Sequence, residues 1–176
     1  MYRTILADPP WPEHGAGKIK RGADKHYPLL TIREIKEFSH LIREWADPVG
    51  CHLYLWVTNN YLPAGLEVME AWGFTYKTTI SWGKVGRDGK PQTGLGQYFR
   101  GASEHILFGV RGNLSYKLRE DGLRAQGRTL ILEPRGEHSV KPESLVRMAE
   151  LVSYPPRLEL FARQRREGWD CRGNEV

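Results

Sequence analysis

Thr4-Ile5-Leu6-Ala7-Asp8-Pro9-Pro10-Trp11 is an apolar run that stops at an acidic, double-proline turn and an aromatic ring. The run from Tyr2 to Ala7 predicts a buried strand, and the prolines prevent the chain from continuing as a helix. The strand therefore ends by presenting the Asp8 carboxylate beside backbone carbonyls that no helix takes up. One carboxylate oxygen and one carbonyl are two acceptors, the number needed to hold an exocyclic amine by both of its N–H bonds. The ring of Trp11 adds a flat apolar surface on which a base can stack. Taken alone, an Asp-Pro pair after a strand is a polar turn; the rest of the chain decides between the two readings.

Outward from this turn, strand-like and helix-like runs alternate. Thr31 and Glu34 have capping-box spacing ahead of a helical apolar face, Ile35, Phe38, Leu41, Ile42 and Trp45, with a break near Ser39. Cys51 to Val57 predicts a second strand. Asn59 and Asn60 are placed to cap a helix through Trp72, which Gly73 stops. Phe74 to Trp82, His105 to Val110 and Thr129 to Leu132 read as strands, Pro142 as the first turn of a helix to about Ser153, and Arg157 to Ala162 as the last major strand. This alternation predicts an α/β fold: a Rossmann-like, mostly parallel central sheet with helices on both faces and ligands beyond the carboxyl ends of its strands. Three segments, Pro12 to His26, Gly83 to Gly101 and Arg111 to Arg128, lack periodicity and read as long functional loops.

At 176 residues, 40% of them hydrophobic, the chain suits one domain over residues 1–176. The net charge of +5 and pI near 9.3 favour an anionic partner such as nucleic acid. Two cysteines without paired spacing, and no recognisable leader, point to a reducing compartment, with the cytoplasm as the default. The longest apolar stretches are far below the roughly 18–20 residues a bilayer requires, which excludes a spanning helix. The six histidines never take HxxxH spacing with one another, nor the cysteines CxxC spacing, so no metal is expected.

DPPW at Asp8 to Trp11, His26-Tyr27, LWVTNN at Leu55 to Asn60, WGF at Trp72 to Phe74 and SWGK at Ser81 to Lys84 are followed by five more blocks. These are SEHILFG at Ser103 to Gly109, HSVKP at His138 to Pro142, LELFAR at Leu158 to Arg163, and GW then GNE between Gly168 and Glu175. In this order the set resembles the MT-A70 family of S-adenosylmethionine-dependent adenine-N6 methyltransferases, over nearly the whole chain. The resemblance implies a methyltransferase fold with permuted motif order, the catalytic strand first and the cofactor strand last, so that a GxGxxG loop is not required.

It also implies roles. Asp8, Pro9, Pro10 and Trp11 form the catalytic turn: Asp8 and the Pro9 carbonyl hold the adenine amine, and Trp11 stacks on the base. Asp8, Lys141, Arg163, Asn174 and Glu175 face S-adenosylmethionine, the implied cofactor. Tyr27, Asn59, Trp82 and Lys84 line the side of the target base. Lys18, Lys20 and Arg21, interleaved with small residues beside the catalytic turn, contact phosphates. Simpler readings stand beside these: strand packing for Glu159 and Phe161, a solvated strand end for Arg163, a helix cap for Ser139 or Asn59, a core position for Trp82, and a solvated face for the basic run. The chain departs from the family pattern at Ser103, where relatives carry lysine, and at Arg165 and Arg166, where they carry His-Asn. An acidic residue that relatives place upstream of the catalytic strand to contact the cofactor adenine has no counterpart in the few residues before Thr4. The expected activity is adenine N6-methylation of nucleic acid, DNA ahead of RNA, by a monomer, homodimer or heterodimer. The rival from another class is an inactive nucleic-acid-binding subunit of a methyltransferase complex.

Overall fold

The computed structural model describes residues 1–12, 29–94, 96, 98–136, 141–173 and 176. Its elements are β1 (Thr4–Ala7), α1 (Ile32–Glu37), α2 (Ser39–Trp45), β2 (Gly50–Val57), a 3-10 turn (Asn59–Tyr61), α3 (Leu62–Ala71), β3 (Thr75–Lys84), β4 (Ser103–Gly112), β5 (Leu130–Glu133), α4 (Glu143–Val152), β6 (Arg157–Leu160) and β7 (Asp170–Arg172). The strands form one sheet in the order β5-β3-β4-β2-β1-β6-β7. β1 pairs in parallel with β2 and β6, β6 with β7, and β3 with β5, whereas β4 runs antiparallel to both β2 and β3. Six strands thus end at one edge of the sheet, and β4 begins there.

Both faces are covered, as a parallel sheet requires, because its strands carry apolar residues on both sides. Every residue of β2 is buried. Ile5, Ala7, Leu53, Leu55 and Val57 pack with Ile35 and Ile42 of α1 and α2 and with Val68 and Met69 of α3. Leu6, Tyr54, Trp56, Ile80, Trp82 and Ile106 pack on the opposite face with Leu145, Val146 and Ala149 of α4. Gly65 lets α3 approach closely: a Cβ there would lie 2.5 Å from Val57 Cγ1.

The capping box at Thr31 and Glu34 forms, and the helical face breaks at Phe38, one residue from the expected site. Asn59 does not cap α3: the chain makes a 3-10 turn first, and Pro63 occupies the first turn of the helix. β6 ends earlier than expected because Phe161 takes a φ of 60°, a left-handed conformation costly for a bulky residue, and its ring packs against Phe38. β7 is an addition to the expected set of strands. Of the expected long loops, Gly83 to Gly101 and Arg111 to Arg128 each contain a short antiparallel bridge, Val85 with Pro91 and Leu118 with Arg124, and their first two residues belong to β3 and β4.

Candidate active site

Asp8 follows β1 at the carboxyl edge, where the order of strands turns back: the chain leaves β1 for β2 on one side and returns later to β6 on the other. Crevices at such reversals bind ligands in open α/β sheets. Side-chain alternation sends Leu6 toward α4, and Asp8, two residues on, shares that side. Its Oδ2 lies 3.5 Å from Nζ of Lys141, each side chain being 25% exposed.

Lys141 precedes α4 and also reaches Oε2 of Glu104, at 3.0 Å, near the start of β4. Glu104 receives two further bonds, from Lys84 Nζ to Oε1 at 2.6 Å and from Trp56 Nε1 to Oε2 at 2.6 Å. Burial alone would raise the pKa of Glu104, but Lys141 and Lys84 outweigh burial and pull it down to about 2. The two ammonium groups also lie over aromatic rings, Lys141 over Trp56 at 4.7 Å and Lys84 over Trp82 at 5.1 Å. Asp8, Lys141, Glu104 and Lys84 thus form a chain of alternating charge along the edge.

The neighbouring residue of β4 faces the other way. His105 contacts Asn59 Oδ1 through Nε2 at 2.7 Å and Ser81 Oγ through Nδ1 at 3.0 Å. Burial lowers its pKa, against a smaller opposite effect of Glu104. A neutral ring donating from Nε2 and accepting from Ser81 satisfies all three side chains. Asn59 in turn donates to the Ser103 carbonyl at 3.1 Å, so it ties β2 to β4.

The turn itself is rigidly braced. Trp11 N–H donates to the Pro9 carbonyl at 2.8 Å, and Leu30 N–H donates to that of Pro10 at 2.9 Å. A carbonyl has two lone pairs, so Pro9, with one bond accepted, retains acceptor capacity, and the Pro10 bond holds residue 30 beside the turn. Trp11, expected as a base-stacking platform, is placed in the interior. Its ring is only 4% exposed, its Nε1 donates to the Trp56 carbonyl at 2.9 Å, and one face stacks on Tyr61. It is a core strut that fixes the turn to β2. Trp82 is likewise buried, donating to the Glu133 carbonyl at 3.0 Å.

On the other flank, Arg163 is half-buried just after β6. Ala162 N–H bonds the Arg172 carbonyl at 3.1 Å, and a Cβ on Gly173 would lie 2.2 Å from the Ala162 carbonyl oxygen. Glycine there lets residue 173 touch the backbone beside Arg163. Arg166 turns inward, its guanidinium bonding Glu159 at 3.1 Å and Glu143, at the start of α4, at 2.6 Å. Tyr27, Lys18, Lys20, Arg21, Asn174, Glu175, His138 and Ser139 lie outside the described residues. The carboxylate of Asp8 and the ammonium of Lys141, converging at the strand reversal, suit a zwitterionic sulfonium cofactor. Glu104 is the part of this cluster that the sequence reading left without a role, although it lies between Lys141 and Lys84, which both had one. Among the described residues no group of three His, Cys, Asp or Glu side chains could hold a metal ion, and no helix is long and apolar enough to cross a membrane.

Comparison with known proteins agrees with this geometry. The chain is 27% identical over 99% of its length to the type II methyltransferase M.MunI of Mycoplasma sp, covering 78% of that protein. It is 31% identical to the N6-methyladenosine RNA methyltransferase MTA1 of Cryphonectria parasitica and 28% identical to the human N(6)-adenosine-methyltransferase catalytic subunit METTL3, spanning 52% and 28% of their lengths. The MT-A70 family model matches residues 2–175, and with nearly every residue inside that match the chain belongs to the MT-A70 family of S-adenosylmethionine-dependent adenine-N6 methyltransferases.

Proposed function

We propose that this chain methylates N6 of adenine in nucleic acid, with Asp8 and the Pro9 carbonyl holding the amine and with DNA ranked ahead of RNA as the polymer. The observation that carries the reading is the placement of Asp8, partly exposed at the strand reversal and anchored by Lys141. S-adenosylmethionine, when bound, supplies an electrophilic methyl group on a sulfonium.

The amine of adenine shares its lone pair with the ring and is a poor nucleophile. Two acceptors on its two N–H bonds fix the nitrogen so that its lone pair faces the methyl carbon. The Asp8 charge then offsets the positive charge that develops on nitrogen during transfer. Once methylated, the nitrogen is acidic and releases its proton without a strong base. Lys141 positions Asp8, and Glu104 balances Lys141 and Lys84, so the cations do not repel one another at the edge. DNA is ranked first because M.MunI is the relative here whose length is covered most fully, while MTA1, named for RNA, is covered over about half.

The test is labelled-methyl transfer to single-stranded DNA, duplex DNA and RNA by the wild type and Asp8→Ala, with cofactor binding followed by calorimetry. The variant should lose at least about 100-fold in turnover while holding cofactor affinity within a few-fold. Full activity in Asp8→Ala would sink the mechanism. Cofactor binding without transfer to any of the polymers would sink the substrate assignment, and absence of cofactor binding would favour a subunit without catalysis.

A further inference from the structure

The segment from Val85 to Ala102 joins β3 to β4, and its two roots carry site residues: Lys84 closes β3, and Glu104 lies just inside β4. The segment folds back on itself as an arm. Lys84 N–H bonds the Ala102 carbonyl at 2.8 Å, Gln92 N–H the Lys84 carbonyl at 2.7 Å, and Gly94 N–H the Gly101 carbonyl at 2.7 Å. Arg100 Nε donates to the Gly94 carbonyl at 2.9 Å. A Cβ on Gly96 would meet the Phe99 carbonyl oxygen at 1.9 Å, so the chain can close this tightly only with glycine there.

At the far end of this braced arm, Tyr98 and Phe99 are 92% and 91% exposed. Adjacent large aromatic rings left in water by a well-tied backbone call for an occupant. The surrounding residues decide which kind. The described arm carries Arg87, Lys90 and Arg100 against a single acid, Asp88, which itself faces Lys90 at 4.0 Å. Among the described residues, the immediate flanks of the two rings are Gly94, Gly96, Arg100, Gly101 and Ala102, small residues and a cation. Aromatic rings with neighbouring cations are what unpaired bases on a phosphate backbone require.

We infer that Tyr98 and Phe99 stack on bases flanking the target adenine, with Arg87, Lys90 and Arg100 on the adjoining phosphates, so that the arm holds a single-stranded or locally opened strand across the site. This rests on the adenine-methylation reading for the identity of the target, but its test is separable from that reading.

Fluorescence anisotropy with labelled single-stranded DNA and RNA oligonucleotides carrying one adenine measures binding without any transfer. A 2-aminopurine beside that adenine reports stacking. For Tyr98→Ala/Phe99→Ala, Kd on the preferred polymer should rise roughly 5- to 150-fold or more, the lower range being the loss that a single base stack carries. The 2-aminopurine quench should disappear, and the cofactor affinity and thermal unfolding should be those of the wild type. Tyr98→Phe/Phe99→Tyr, which keeps both rings, should restore binding. Unchanged affinity for both polymers overturns the inference, as does failure of the wild type to bind either. A fall in oligomeric mass by light scattering in the double alanine variant would make the arm a subunit contact and also overturns it. Arm-dependent binding by a wild type that transfers no methyl group would support the arm and refute the methylation reading. Transfer with arm-independent binding would do the reverse.

Discussion

Glu104→Gln keeps the shape of the central carboxylate and removes its charge, leaving Lys84 and Lys141 without the anion they share at 2.6 and 3.0 Å. The folded-state pKa of Glu104 is about 2 against an ordinary 4.5, and its side chain is only 15% exposed. A depressed carboxylate stabilises the fold above its unfolded pKa and loses that contribution as pH falls through its folded one. At about 1.4 kcal/mol for each unit of pKa, the ionised group contributes about 3 kcal/mol at pH 7, with about 1.4 kcal/mol remaining at pH 3 and almost none below pH 2. Other carboxylates also lose stability in acid, so the informative quantity is the difference between wild type and Glu104→Gln at each pH. Urea unfolding followed by tryptophan fluorescence at pH 7, 4 and 3 measures it. The difference should be about 3 kcal/mol at pH 7 and fall by half or more by pH 3. A difference below about 1 kcal/mol at neutral pH, or one that stays constant down to pH 3, would refute the assignment of Glu104 as the charge that holds the two lysines.

Arg166→Met leaves Glu143 and the largely buried Glu159 without their shared cation, and should cost about 3–5 kcal/mol, seen as a lower thermal midpoint; an unchanged midpoint would show that the pair contributes nothing to the anchoring of α4. His52 is buried with its Nδ1 on Ser153 Oγ at 2.8 Å, and burial lowers its pKa, so its NMR titration midpoint should fall below 6.5. Its contribution to stability should be complete above pH 6.5 and decline as pH drops toward that lower midpoint, and a midpoint at or above 6.5 contradicts the burial argument.

What could be read along the chain was whatever depends on near neighbours. The Thr31 to Glu34 box, the break near Ser39 and the largely apolar β2 are patterns of a few residues, and each forms at or within one residue of its expected place. β7 is three residues, Asp170-Cys171-Arg172, with no alternation to mark it; pairing with β6 makes it a strand. Trp11 has the composition of a stacking platform, but its fate is set by the Trp56 carbonyl and Tyr61, far away in sequence. Asn59 looks like a helix cap because its local context is that of one, whereas its partners lie on β4. Glu104 shows the same limit most clearly. It reads as one letter of a family block; the sheet register, Trp82 opposite Glu104, brings Lys84 to it, and the chain entering α4 brings Lys141.

The reversed strand explains why chemistry collects at this edge. In a sheet of parallel strands alone, the edge receives only residues that follow strand ends, on loops. β4 runs the other way, so its first residues arrive at the same edge already inside the ladder, with alternation fixing Glu104 on the α4 side and His105 on the α3 side. A rigid carboxylate thus stands beside the looser one that ends β1. The quartet of Asp8, Glu104, Lys84 and Lys141 is neutral as a whole, but its contacts are unequal: Glu104 is held at 2.6 and 3.0 Å, Asp8 at 3.5 Å. The more loosely held carboxylate is the one that an incoming amine can engage without breaking the network. Positive charge arising on that amine would then fall beside Asp8 while Glu104 keeps both lysines occupied.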